Sequence, residues 1–185
     1  MDLEELLRLP LDDQVTMLVG VSVRHAVELE AAVRSVLMTI DSEFDPSRRW
    51  KFSELITVFR RQSSTSPQFS KELRKACAEI ASEALDGYNR RNTNAHDMLG
   101  TYAGTPIERF RFERDHSIAP DDEPEILSVA DLVQHCTDLE HAIWRLRGVM
   151  FYLARPEDRR WWGMLVEGNF EARWDGSASR TTVLS

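Results

Sequence analysis

From Asp12 to Ile40, apolar residues return every three or four positions: Val15, Leu18, Ala26, Leu29, Val33, Val36, Leu37 and Ile40. That spacing, held over about seven turns, is one face of an amphipathic helix and is incompatible with the alternation of a half-buried strand. Ser22 and His25 interrupt the stripe with polar groups, and Arg24 with Glu28 and Glu30 with Arg34 stand four apart, the spacing of helical ion pairs. A chain whose first third is one long amphipathic helix must bury that face against other helices or a sheet.

The remaining periodic stretches supply helices. Gln68 to Leu99 carries Phe69, Leu73, Ala76, Cys77, Ile80, Ala84, Tyr88 and Ala95 as an inward set, with Gly87 as a point where a kink would be tolerated. Ser128 with Asp131 three residues on, and Leu127 with Leu132, mark a sharp helix start, after which Leu132, Val133, Cys136, Leu139, Ile143, Leu146, Val149 and Leu153 keep helical spacing up to Pro156. Leu3 to Leu9 reads as a short helical turn stopped by Pro10. Ser53 to Arg61 reads as a short helix inside broken ground that is bounded by Pro46, Pro67 and a serine-rich run. Between the glycines at 100 and 104 and the acidic loop from Ala119 to Glu125, the Phe110 and Phe112 alternation predicts a short strand or extended arm. The expectation is therefore an all-α, antiparallel bundle of about four or five helices with a small extended excursion near residues 105–115. One helical domain covers 1–156, and 157–185 form a tail that is partly packed and then frayed.

At 185 residues the chain is long enough to bury a proper core without staples. Cys77 and Cys136 sit at apolar helical positions with no metal-ligand spacing around them, which predicts buried free thiols and suits a reducing cytoplasm. Acids in the first ten residues and the absence of an apolar run of about 20 residues point away from a leader or a membrane span. No metal spacing, phosphate-binding glycine loop or serine nucleophile motif is present, and no cofactor is expected. His135 and His141, six apart, read as surface or rim residues, and Trp50 reads as the edge of the core, with base stacking as the alternative.

The net charge of -8 argues against a general nucleic-acid coat, but its distribution is uneven: residues 1–46 carry -7, 47–114 carry +5 and 115–185 carry -6. Within the basic third lies Arg90-Arg91-Asn92-Thr93-Asn94-Ala95-His96. Arginine's planar fork matches phosphate oxygens, histidine exchanges protons near neutrality, and asparagine can orient either. On a helix Asn92 and His96 share a face, while Arg91 is turned roughly 140° from His96. Arg91 and His96 therefore join in one site through the arginine's reach, a local change in the helix, or a site shared between two subunits. Arg109 and Arg111 either extend this basic surface toward RNA phosphates or form the solvated side of a ribbon.

Arg91 followed directly by Asn92, the four residues between Arg91 and His96, and the long preceding helix resemble the HEPN family (higher eukaryotes and prokaryotes nucleotide-binding), whose motif is Arg, four to six residues, then His, often with Asn after the Arg. The resemblance covers roughly residues 12–154. It implies a metal-independent RNA endonuclease with Arg91, Asn92 and His96 as catalytic residues, working as a homodimer with a composite cleft and yielding 2′,3′-cyclic phosphate and 5′-hydroxyl ends. It also implies an acid on the first long helix supporting the motif, for which Glu28 and Glu30 are the candidates, with Arg90 as a further supporting residue. Toxin or defence roles and an antitoxin or regulatory partner belong to the same expectation. Met98 stands where members modified by a nucleotidyltransferase antitoxin carry Tyr, so that form of regulation is not expected. The alternative is a non-catalytic helical dimer that binds a nucleotide or a protein.

Overall fold

The computed structural model describes residues 3–96, 98–100, 107–110, 125–157, 161, 162 and 165. Among them are five helices, α1 (Leu3–Leu7), α2 (Leu11–Ile40), α3 (Phe52–Thr65), α4 (Lys71–His96) and α5 (Val129–Ala154). They also include three short strands, β1 (Met98–Gly100), β2 (Ile107–Phe110) and β3 (Glu125–Leu127). The all-α bundle with a small extended excursion is the observed architecture. Arg111, Phe112, the acidic loop over 119–124 and the tail from 166 onward lie outside the described residues, as do the side chains of His96, Met98 and Phe110.

The long stripe of α2 is buried as its spacing requires, and its polar interruptions are buried with it. Ser22 Oγ donates to the Val19 carbonyl at 2.8 Å, and His25 Nδ1 lies 3.2 Å from the Cys136 carbonyl on α5. The main core joins the C-terminal half of α2 to α3, α4 and α5 around Leu29, Val33, Leu37, Phe59, Ile80, Leu139 and Ile143. A smaller core gathers Leu6 from α1, Val15 and Leu18 from α2, Ile107 from β2, and Leu132 and Cys136 from α5. Both thiols are buried and unbridged, and exclusion from water pushes each to about 12. No helix of the described residues is long and apolar enough to cross a membrane.

Helix α3 outruns the stretch its apolar residues marked, continuing through Gln62, Ser63, Ser64 and Thr65. Ser63, Ser64 and Thr65 donate their hydroxyls back to carbonyls of the preceding turn, Ser63 to that of Phe59 at 2.7 Å, so a serine run that reads as loop is tolerated as helix. Gln62 at the end of α3 reaches Asp41 at the end of α2, which sets the two helices side by side in the same direction. The connection between them returns along α2, held where Arg34 donates to the Pro46 carbonyl at 3.1 Å. Trp50 closes that connection as an edge of the core, stacked on Phe44 at 5.9 Å and donating Nε1–H to the Asp45 carbonyl.

Helices α3 and α5 each run antiparallel to α4: Phe52 stacks on Tyr88 while Arg60 reaches Ser82, and Arg90 meets Asp138 while Glu83 meets Arg145. Gly87 lies inside α4, with helix on both sides of it. Its absent side chain instead admits α5, because a Cβ there would stand 2.9 Å from Leu139 Cδ2. Helix α5 begins as its sequence indicated, with Ser128 Oγ accepting from the Asp131 amide and Asp131 accepting from the Ser128 amide. At its far end Trp161 and Trp162 lie against Phe151 and Tyr152.

The α4–α5 contact makes a direct comparison of two glycines. Gly87→Val forces branched bulk into fully buried Leu139 and is expected to lower the unfolding free energy by about 1–3 kcal/mol. Gly20→Ala on α2 meets no atom within 4 Å and is expected to raise it by about 0.5–1 kcal/mol through helix propensity alone. Urea unfolding at fixed protein concentration measures both.

Candidate functional site

Helix α4 carries the motif at its C-terminal end, and the chain stays helical through His96. Asn92 and His96 therefore occupy one face, a turn apart, with Arg91 about 140° around the axis. Arg91 is half-buried. Its Nη1–H donates to Asn92 Oδ1 at 2.8 Å, and its guanidinium carbon lies 5.9 Å from the centre of the Tyr88 ring. Tyr88 is itself clamped on Phe52 at 4.0 Å, so the arginine is braced on a fixed surface. Arg91 Nε is enclosed with no partner among the described residues, which leaves one buried donor unsatisfied. The side chain of His96 is outside the described residues.

The neighbouring cations are engaged by acids. Arg90 Nη2–H donates to Asp138 on α5 at 2.8 Å, at the wall of a groove of about 310 Å³ lined also by Glu83, Asp86 and His141. Carboxylates outnumber cations in that groove, so it repels a phosphate. Arg109 on β2 donates Nη1–H to Asn94 Oδ1 at 2.9 Å and pairs through Nη2 with Glu125 on β3. Its side chain is only 11% exposed. Arg111 lies outside the described residues.

The two acids of α2 do not reach the motif. Glu28 pairs with Arg24 at 3.9 Å on its own helix and with Arg147 on α5 at 3.4 Å. Arg147 lies about 13 Å along α5 from the level of Asp138. Glu30 receives both Nε–H and Nη2–H of Arg34, at 3.0 and 2.7 Å. The structure thus brings Arg91 and Asn92 together, places Arg90 beside them on a different flank, and leaves Glu28 and Glu30 elsewhere.

Three residues of this end of the bundle escape the apolar pattern. Asn94, 7% exposed, takes the buried position that periodicity gave to Ala95, which is exposed. The row Glu83, Gly87 and Arg90, each facing α5, continues at Asn94, and following that row rather than apolarity would have found it. Asp138 is the acid that row meets. His135, expected at the surface, is 3% exposed because it lies on the Leu132–Leu139 face of α5. Neither of its ring nitrogens has a hydrogen-bond partner among the described residues. Burial, followed by the positive charge of Arg90, pushes its pKa down to about 4, and burial also lowers that of His25.

Among the described residues, no group of three or more His, Cys, Asp or Glu is placed to hold a metal ion. What the motif end offers is a braced, part-exposed guanidinium, an adjacent amide and a histidine position one turn on. Comparison with models of known families, with curated proteins and with solved structures finds no match.

The buried imidazole makes stability depend on pH with a definite sign. Unfolded His135 takes up a proton near pH 6.5 and the folded residue only near 4, so the unfolded chain binds more protons between these values. The stability is intact above pH 6.5 and is lost as pH falls through the window, by about 3 kcal/mol in total. His135→Leu is expected to remove that part of the pH dependence, seen as a flatter urea-unfolding free energy between pH 7 and 4.

Proposed function

We propose that the protein is a metal-independent RNA endonuclease of the HEPN type. The observation that carries this reading is the Arg91–Asn92 pair: a guanidinium fixed by a neutral amide at 2.8 Å, on the last turns of a helix whose next residue on the Asn92 face is His96. The neighbouring arginines pair with Asp138 and Glu125, whereas Arg91 is oriented by an amide and pairs with no acid among the described residues.

In the proposed reaction Arg91 holds the scissile phosphate and stabilises charge on the pentacoordinate transition state. A histidine removes the 2′-hydroxyl proton as the 2′-oxygen bonds to phosphorus. The bond from phosphorus to the 5′-oxygen breaks, and that oxygen takes a proton from a second acid. The products are a 2′,3′-cyclic phosphate and a 5′-hydroxyl. One His96 per chain supplies half of this acid–base pair, and Arg91 and His96 diverge on an unbroken helix. Two chains related by a two-fold axis, with their α4 ends together, supply the complete set, so a homodimer is part of the proposal. A place in a toxin–antitoxin or defence system, with a regulatory protein as partner, fits an activity that must be restrained in its own cell.

A second reading is a non-catalytic helical dimer that binds a nucleotide or a protein. The acid-lined groove beside Arg90 favours it, because it limits how far a polyanion can extend along this face.

Purified protein incubated with end-labelled, mixed-sequence RNA in excess EDTA is expected to give fragments with cyclic-phosphate ends. His96→Ala is expected to slow cleavage about 10²- to 10⁴-fold, and Arg91→Ala about 10²- to 10³-fold. Equal cleavage by His96→Ala and wild type would remove His96 from the mechanism, and a folded dimer that cleaves nothing would leave the binding module.

A further inference from the structure

We propose that Asn94 is a positioning residue: through Arg109 and Glu125 it ties the last turn of α4 to the sheet and so fixes the direction in which Asn92 and His96 are presented. The catalytic part of this inference rests on the ribonuclease reading, while the tether itself does not. The final turn of a helix lacks intrahelical partners for its carbonyls and frays unless something outside holds it. Asn94 lies in that turn, between the motif residues Asn92 and His96, and is 7% exposed. Its Oδ1 accepts from Arg109 Nη1 at 2.9 Å, across fifteen residues of sequence.

Arg109 is a strut suited to the task. It is the cross-strand partner of Glu125 in the register of β2 on β3, and its Nη2 pairs with that same glutamate. The sheet is anchored in turn. Ile107 of β2 is 1% exposed in the smaller core, and its partner Leu127 immediately precedes the Ser128 cap of α5. A path of hydrogen bonds and buried contacts therefore runs from the start of α5, through Glu125 and Arg109, to the turn that carries the motif. On this assignment Arg109 acts on RNA through the helix and is not itself a phosphate contact.

The experiment measures, for wild type, Asn94→Leu, Asn94→Asp and Arg109→Ala, amide hydrogen exchange at residues 93–96 and the kinetics of RNA cleavage in EDTA at several salt concentrations. Asn94→Leu is expected to lower protection about ten- to hundredfold in those residues while the rest of α4 is unchanged. It is expected to lower kcat by a similar about ten- to hundredfold with KM unchanged. Asn94→Asp keeps an acceptor for Arg109 and restores both, a rescue that a loss of packing alone does not give. Arg109→Ala reproduces Asn94→Leu, with the salt dependence of KM unaltered. Wild-type protection and kcat in Asn94→Leu overturn the proposal. So does an Arg109→Ala protein that keeps last-turn protection but weakens KM and lowers the salt slope by about one, the signature of a direct phosphate contact. If the wild type cleaves nothing, the ribonuclease reading and the catalytic role of Asn94 fall together, and the exchange data decide the tether alone.

Discussion

Arg145 sets the register on which the motif end depends. Its side chain is 5% exposed on α5, yet its charge is met by Glu83 and Glu79 of α4, and its Nε–H donates to the Leu165 carbonyl at 3.0 Å. A guanidinium withdrawn from water costs several kcal/mol unless it is paired, so α4 cannot slide by a turn along α5 without leaving that charge uncompensated. A turn beyond Glu83, Gly87 lets the helices approach at Leu139, and a turn further Arg90 meets Asp138. Ion pair, close approach and ion pair follow one row of α4, and Asn94 prolongs it. With that row committed to α5 and the sheet, Asn92 is turned to the opposite flank and remains half-buried.

The electrostatics of the folded chain differ from those of its thirds. The basic middle third is folded against acids from the third that follows, Arg90 against Asp138 and Arg109 against Glu125. Two cations of the middle third are thereby paired across the fold. Among the described residues Arg91 is met by an amide and not by an acid, which supplies direction without opposite charge.

Much of the fold was legible because its causes are local. The spacing in α2, the cap at Ser128, the burial of both cysteines and the core-edge role of Trp50 follow from neighbours a few residues away. Where the pattern and the structure differ, the cause is distant in sequence. The apolar pattern favours Ala95 over Asn94, because the partner that justifies the burial of Asn94, Arg109, arrives across the sheet. His135 reads as polar and so as exposed, although its spacing belongs to the buried face. Strands of three residues, β1 and β3, are too short to show alternation, and they exist because β2 pairs with both. At the candidate site the Arg91–Asn92 pair was readable as adjacent residues on one helix, whereas the engagement of Arg90 by an acid 48 residues away was not.

The smaller core has a consequence for how the molecule comes into being on the ribosome. Its contacts join the beginning of α2 to the beginning of α5, with the His25 and Leu18 bonds to Cys136 spanning 111 and 118 residues. A nascent chain presents α2, α3 and the whole of α4 well before it presents the residues that complete that core. Long-range closures of this kind are made late. In the interval between the emergence of Arg91 and that of α5, the last turns of α4 lack the Asp138 and Arg109 contacts that hold them in the finished fold.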